Sequence, residues 1–263
     1  MKPLVLLLAT LAILAPAPLA AAQVVVDIGA VENNASGTGW RIDNNVLTIH
    51  DGADIVITGT TNDRRVVVEE NATVNITLDD VNIGASDFEI RPGADVALTL
   101  SGINTLGIIS APDPFRDPFR RMGSVTLVIN GPGSLEAQGG IYVRGGLDFT
   151  IDGATSFAAI SMSNLTINGG TVTASGIGIS VSMANITING GTVTATGTNT
   201  GIFSALGSIT INGGAITASG NTGISIVFGN LRINGGIVTA TGEYADNRVQ
   251  GPPLRFGGTQ VNF

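Results

Sequence analysis

A four-residue motif, Ile-Asn-Gly-Gly, recurs in the second half of the chain and limits its fold more than any other feature. The copies begin at Ile167, Ile188, Ile211 and Ile233, at intervals of 21, 23 and 22 residues. Repeats of this length are typical of solenoids, in which each coil buries its apolar side by stacking on the next coil. The sequence therefore predicts a stack of similar coils of about 22 residues each.

Each repeat divides into three segments in which apolar and polar residues alternate, and this predicts three short β-strands per coil. Leu165 and Ile167 are expected to point inward and Thr166 outward. A coil of this length favours an all-β fold, a right-handed parallel β-helix, over the shorter left-handed type. Weaker copies extend the period toward the N-terminus, with equivalent positions expected at Ile57, Leu78, Leu100, Ile129 and Ile151.

The Ile-Asn-Gly-Gly motif is expected to form a turn between two strands. Glycine adopts positive φ without steric cost, and asparagine tolerates the same left-handed region. The polar residues of these turns would stack into a structural ladder along one edge of the solenoid. Its expected members are Asn130, Asp152, Asn168, Asn189, Asn212 and Asn234.

The first 22 residues have the pattern of a secretory signal peptide. An apolar run from Leu4 to Leu14 ends in prolines and a cluster of small residues, and it is shorter than the roughly 20 residues of a membrane-spanning helix. We predict cleavage after Ala22 and no membrane span. The mature protein would be secreted or held at the cell surface, with one β-helix domain over residues 23–263.

Charged side chains are few and unevenly placed. Without the leader the chain has 11 arginines against 20 acidic residues, so no basic surface for nucleic acid is expected. From Gly153 to Leu231, 79 consecutive residues include no Asp, Glu, Lys, Arg or His, so this half lacks general acid–base groups. The single histidine, His50, has no second histidine with which to bind a metal. We therefore predict that the protein is not an enzyme.

Acidic residues concentrate in the first half of the chain. Coils stacked about 4.8 Å apart would bring some carboxylates close together, and calcium takes roughly 6 to 8 oxygen ligands. Asp79 and Asp80 are therefore candidate calcium ligands, and calcium is the candidate cofactor. The alternative is a solvated acidic surface that keeps the solenoid in solution.

The longest interval between repeats contains a loop insertion at residues 111–122, in which Asp-Pro-Phe-Arg occurs twice in tandem. Proline excludes a regular strand ladder there. Exposed phenylalanines can stack on a sugar ring, and an arginine fork matches the carboxylate of a uronate-rich polysaccharide. The alternative is a loop whose phenylalanines fold over an open flank of the solenoid. The candidate ligand-binding residues are Phe115, Arg116, Phe119, Arg120 and Arg121.

Outward threonines after each Ile-Asn-Gly-Gly turn form a possible flat array. Such an array can order water as an ice-binding face, but it is interrupted at Ala215 and Ile237. Outward threonine is also ordinary strand composition. The sequence alone therefore favours a plain strand surface here.

Motifs in the first half carry a family resemblance. The chain has Gly-Thr-Gly-Trp at 37–40, Val-Leu-Thr-Ile at 46–49 and Val-Asn-Ile-Thr-Leu-Asp-Asp-Val-Asn-Ile at 74–83. These motifs resemble those of secreted carbohydrate-binding domain-containing proteins with a right-handed parallel β-helix. The resemblance implies a bacterial extracellular or surface protein with calcium sites and affinity for acidic polysaccharide. Among the candidate calcium ligands, Asp79 and Asp80 fall within a matching motif.

Two functions remain open. One is a secreted, non-catalytic polysaccharide-binding solenoid, assisted by calcium. The other is a structural or adhesive surface protein that self-associates through its ends, because open strand edges pair with other chains. The strand-like segments Gln23–Val26 and Gln260–Phe263 would cap either the molecule's own ends or those of a neighbour.

Overall fold

The computed structural model describes residues 23–84, 86–111, 125–143, 147–162, 164–181, 184–242, 255–256 and 261–262. Every regular element within these ranges is a β-strand. The same ranges contain no helix of the length and apolarity needed to cross a membrane. The predicted signal peptide lies outside the described residues, so its removal stays a prediction.

The strands are short and follow one another closely along the chain. In chain order they are β1 (Val24–Asp27), β2 (Ser36–Gly37), β3 (Trp40–Asp43), β4 (Val46–Ile49), β5 (Asp54–Thr60), β6 (Arg65–Val68), β7 (Thr73–Asn82), β8 (Asp87–Ile90), β9 (Asp95–Ser101), β10 (Ile103–Ala111), β11 (Val125–Asn130), β12 (Ser134–Val143), β13 (Leu147–Ile151), β14 (Ala154–Met162), β15 (Asn164–Ile167), β16 (Thr171–Val181), β17 (Ile186–Ile188), β18 (Thr192–Gly197), β19 (Thr200–Ser204), β20 (Ile209–Ile211), β21 (Ala215–Gly220), β22 (Thr222–Ile226), β23 (Leu231–Ile233), β24 (Ile237–Gly242), β25 (Arg255–Phe256) and β26 (Val261–Asn262).

The strands stack in parallel into three sheets, which form the three faces of a solenoid. Face 1 contains β1, β5, β7, β9, β11, β13, β15, β17, β20, β23 and β25. Face 2 contains β18, β21, β24 and β26, and face 3 contains β4, β6, β8, β19 and β22. Strands β10, β12, β14 and β16 each run from face 2 into face 3, with a shift of register between the two parts. The predicted all-β solenoid is confirmed, although these four coils merge two of their three expected strands.

The interior is a stack of inward-pointing aliphatic side chains. Ile167, Ile188, Ile211 and Ile233 are fully buried and pair in register on face 1. Thr166, between two inward residues, is only half-buried. Burial of each such aliphatic side chain contributes about 1.5 to 3 kcal/mol. The predicted alternation and spacing in the second half are therefore confirmed.

The weaker repeats of the first half are aligned differently from the prediction. We expected Leu100 to be the equivalent of Ile129, but Leu98 pairs with Ile129. Ile57 and Leu78 pair in register with Leu100, so their predicted alignment with Ile129 is also wrong by two residues. The reason is that β5, β7 and β9 are seven to ten residues long, so another inward residue follows before the turn.

The second glycine of each Ile-Asn-Gly-Gly turn has a positive φ, between 72° and 93° at Gly170, Gly191, Gly214 and Gly236. A Cβ added at Gly191 would lie 2.6 Å from the carbonyl oxygen of Gly170 in the preceding coil. Glycine is thus required both by the backbone conformation and by the approach of adjacent coils. The expectation that the turn asparagines share the left-handed region is wrong, because none of the four has a positive φ.

The asparagine ladder is present and its hydrogen bonds all run in one direction. Nδ2 of Asn189 donates to Oδ1 of Asn168 at 2.9 Å, and Nδ2 of Asn212 donates to Oδ1 of Asn189 at 2.8 Å. Asn234 donates to Asn212 at 2.6 Å and accepts from Nε of Arg232 at 2.7 Å. The predicted line of side chains is confirmed for these four residues. Asn130 differs, since its Oδ1 accepts from Oγ1 of Thr99 at 3.0 Å.

Replacing Asn212 with alanine should lower the free energy of unfolding by about 1 to 2 kcal/mol, because two amide hydrogen bonds are lost. Asn199→Ala is the matched control, since the Asn199 side chain has no hydrogen bond with the described residues. Urea unfolding of both variants measures the difference. Equal losses of stability would contradict a stabilising role for the ladder.

The N-terminal end of the solenoid is covered by its own chain at face 3. Strand β3 pairs antiparallel with β4, and Ile28 and Ile42 are fully buried beneath this end. The segment Gln23–Val26 largely forms β1, the first strand of face 1, rather than a cap. At the other end β26 pairs with β24, and Gln260 and Phe263 lie outside the described residues.

Candidate binding surface at the third corner

The predicted ligand-binding residues, Phe115, Arg116, Phe119, Arg120 and Arg121, lie outside the described residues. The two ends of their loop are described: β10 ends on face 3 at Ala111, and β11 begins on face 1 at Val125. The loop is therefore inserted in a turn from face 3 to face 1. We call the line of these turns the third corner, and its described residues are 50–53, 69–72, 91–94, 184–185, 205–208 and 227–230.

The early part of the third corner and the adjoining face 3 carry charges of both signs. Nδ1 of His50 lies 2.8 Å from Oε2 of Glu69. On the next coil, Glu89 lies 3.3 Å from Nε of Arg91 and 3.5 Å from Nη1 of Arg65. Partly exposed pairs of this kind contribute only about 0 to 1 kcal/mol each. His50 thus has a carboxylate partner, and this part of the corner is a hydrated, mixed-charge surface.

The late part of the third corner is apolar. Leu206, Val227 and Phe228 are 55%, 38% and 67% exposed. The amide of Phe228 donates to the carbonyl of Ala205 at 2.8 Å, so the two turns lie against each other. We call Leu206, Val227 and Phe228 the apolar ridge.

Polar groups flank the apolar ridge. Ser208 and Asn230 each lie two residues after a ridge residue, Leu206 and Phe228, and the backbone amide of Asn230 donates to Oγ of Ser208 at 3.3 Å. Ligand sites commonly combine an apolar surface with a few polar groups that fix orientation. The ridge offers an aromatic ring for the C–H face of a sugar and polar groups for its hydroxyls.

The sequence analysis missed the apolar ridge. Its signal was an apolar residue directly before the turn glycine, in Ala-Leu-Gly at 205–207 and Val-Phe-Gly at 227–229. Turns have no hydrophobic period, so an inward and an outward apolar residue cannot be told apart there by alternation.

The structure places the two candidate calcium ligands in different roles. Asp80 has φ 52°, and its Oδ1 accepts a hydrogen bond from the amide of Ile103 at 2.8 Å. Its carboxylate therefore stabilises a turn between coils. Asp79 is half-buried in β7, in register with Thr58 and Ser101.

Among the acidic residues that the structure describes, the expected stacking of carboxylates on one another is not seen. Asp54 pairs with Asn75, and Asp95 lies between Thr73 and Thr126. Within the described ranges, no three Asp, Glu, His or Cys side chains come close enough to share a metal ion. Calcium takes roughly 6 to 8 oxygen ligands, which include carbonyl and water oxygens, and its binding at Asp79 and Asp80 stays a prediction.

Three segments of the chain match a family model described as a beta helix repeat. They cover residues 165–185, 186–205 and 231–251. The fold is a right-handed parallel β-helix. The first two matched segments are consecutive coils of this β-helix, beginning in β15 and β17. Comparison with curated proteins and with solved structures gave no significant match.

Proposed function

We propose that this β-helix is a secreted, non-catalytic protein that binds polysaccharide along the third corner. One observation carries the proposal: the loop with its phenylalanines and arginines starts from the same edge as the apolar ridge with its exposed Phe228. A sugar polymer would contact both aromatic groups along one line.

The dimensions of the third corner suit a polymer better than a small sugar. Nine parallel strands of face 3, from β4 to β22, adjoin it in the described chain. Eight steps of about 4.8 Å give an edge of about 38 Å. A single sugar would contact one or two turns, whereas a polysaccharide can contact the loop and the ridge together.

The absence of catalysis is part of the proposal and rests on how the acidic groups are used. Oδ1 of Asp51 accepts from the amide of Thr73 at 2.8 Å, and Asp80 accepts from the amide of Ile103. Hydrolysis or elimination requires a positioned acid and base near the substrate. Near the apolar ridge, the chain has no charged residue from Gly153 to Leu231.

Loop variants test the polysaccharide site. Phe115→Ala with Phe119→Ala should weaken binding to neutral and acidic polysaccharides alike, because both lose ring stacking. Arg116→Ala with Arg120→Ala should weaken acidic ligands selectively, and the difference should shrink at high salt, where charges are screened. Phe228→Ala should weaken both classes. Affinity measured at two salt concentrations, with calcium or with a chelator, distinguishes these outcomes.

Ile103→Ala provides the control, since Ile103 is an exposed apolar residue on face 2. Its binding should equal that of the unmodified chain. If all loop and ridge variants bind as well as this control, the third corner is not the site. If a chelator removes binding, calcium assists it, and Asp79→Asn and Asp80→Asn then test whether these two residues hold the ion.

Self-association is the second candidate function. It is favoured by the apolar ridge and by β1, which pairs on one side with β5 and exposes Val25. Sizing the protein over a wide range of concentrations tests it. A monomer at the highest concentration would exclude assembly through these surfaces.

A further inference from the structure

The outward side of face 2 is a regular lattice of hydroxyl groups. Four strands, β16, β18, β21 and β24, pair in parallel, and their register is unbroken over five successive residues of each strand. Each strand contributes three outward side chains, so the lattice has three ranks that run along the solenoid. They are Thr171, Thr192, Ala215 and Ile237; Thr173, Thr194, Thr217 and Thr239; and Ser175, Thr196, Ser219 and Thr241.

The two interruptions identified in the sequence both fall in the first rank. The middle rank is threonine in all four coils, and the last rank alternates serine and threonine. Ten of the twelve positions therefore carry a hydroxyl. This pattern is denser than on face 1, where each coil contributes one outward threonine, at Thr166, Thr187 and Thr210.

Seven of the eight threonine hydroxyls of the lattice are available to solvent. Oγ of Ser219 donates to Oγ1 of Thr196 at 3.2 Å. The other seven threonine hydroxyls of the lattice form no hydrogen bond with the described residues. Threonine is stiff at χ1, so its hydroxyl and methyl groups occupy fixed positions on a strand. Water that binds here would therefore hydrogen-bond to hydroxyl groups held at fixed, regularly repeated positions.

The spacing along a rank matches a tetrahedral water network. In the middle rank, neighbouring threonines are separated by the strand spacing of about 4.8 Å. One water that hydrogen-bonds to two hydroxyls at about 2.8 Å each, with a tetrahedral angle, spans about 4.6 Å between them. A single water can thus bridge neighbouring hydroxyls of the middle rank, where each pair occupies the positions of two oxygens that share one water neighbour in ice. Ice repeats this arrangement in every direction. In the last rank Ser219 and Thr196 hydrogen-bond directly instead.

The lattice has the chemistry of an ice-binding face rather than of a sugar site. It includes no charged side chain, which would impose its own hydration shell, and Arg232 of the neighbouring strand lies on face 1. It also has no aromatic ring for stacking on a sugar. The threonine methyl groups, with Ala215 and Ile237, add apolar surface to the lattice. We infer that face 2 binds ice through these ordered waters, independently of the third corner.

Two substitutions in the same coil test this inference. Thr194→Tyr puts a bulky ring in the middle rank, and Thr187→Tyr puts the same ring on the outward side of face 1. Thermal hysteresis and ice-crystal shape are measured for the unmodified protein and for both variants. We expect the unmodified protein to shape ice crystals, Thr194→Tyr to lose most of the hysteresis, and Thr187→Tyr to retain it.

A second pair guards against a folding defect. Thr217→Lys and Thr210→Lys place a charge on face 2 and on face 1 of one coil, and circular dichroism checks the fold of each. Absence of hysteresis in the unmodified protein, or equal losses on the two faces, would overturn the inference. Adsorption to insoluble polysaccharide that Thr194→Tyr abolishes, without any effect on ice, would assign the lattice to sugar instead and overturn it as well.

Discussion

Gly191→Ala should lower the free energy of unfolding by about 2 to 4 kcal/mol, one of the largest effects of any single substitution in this chain. Two costs combine. Gly191 has φ 82°, where an L side chain is strained, and the new Cβ would lie 2.6 Å from the carbonyl oxygen of Gly170. That oxygen belongs to a strand-linking turn of the adjacent coil, so relief requires the coils to separate.

Gly52→Ala separates the two costs. Gly52 has a similar φ of 75°, but an added Cβ would have no neighbour within 4 Å. Its substitution should cost about 1 to 2 kcal/mol, the conformational part alone. Urea unfolding of both variants gives the difference. Equal losses would show that the coils at Gly191 are not as closely stacked as described.

Ile188→Ala should lower the free energy of unfolding by about 2 to 5 kcal/mol, because it opens a cavity in a closely packed core. Ile188 is fully buried and lies in register between Ile167 and Ile211. In a solenoid each coil is stabilised by its two neighbours, so the cavity weakens two interfaces at once.

The matched control is Ile237→Ala, which removes the same atoms from a side chain that is 55% exposed on face 2. Its effect should stay within about 0.5 kcal/mol. Thermal or urea unfolding measures both variants. A loss at Ile237 as large as at Ile188 would contradict the assignment of inward and outward positions.

The sequence predicted the parts of the fold that repeat. Ile167 and Ile188 are inward because apolar and polar residues alternate with period two, and their turns align because the motif recurs at nearly constant spacing. The asparagine ladder followed from the same spacing. In these coils, residues at the same position of the repeat lie next to each other in adjacent coils.

Prediction failed where the number of residues between two copies of the repeat does not determine which residues pair in the structure. Ile129 pairs with Leu98 rather than Leu100, because the early strands extend by two residues and a loop insertion separates the two copies. The acids do not stack because acidic residues do not recur at the coil period; Asp54, for example, pairs with Asn75. The apolar ridge was missed because a turn residue such as Phe228 belongs to no strand period.

The two proposed surfaces lie on different sides of the β-helix and depend on different structural features. The third corner requires exposed aromatic rings and arginines. Face 2 requires an unbroken register over four coils. Variants of Phe228 should therefore leave ice binding unchanged, and variants of Thr194 should leave polysaccharide binding unchanged.

The central claim is that the protein holds polysaccharide without cutting it. The most direct measurement incubates the purified protein with a panel of neutral and uronate-rich polysaccharides, and records retention of the protein and release of reducing or unsaturated ends in the same samples. We predict retention on at least one acidic polymer with no release of ends. Release of ends that a single acidic substitution abolishes, or no retention on any polymer, would contradict it.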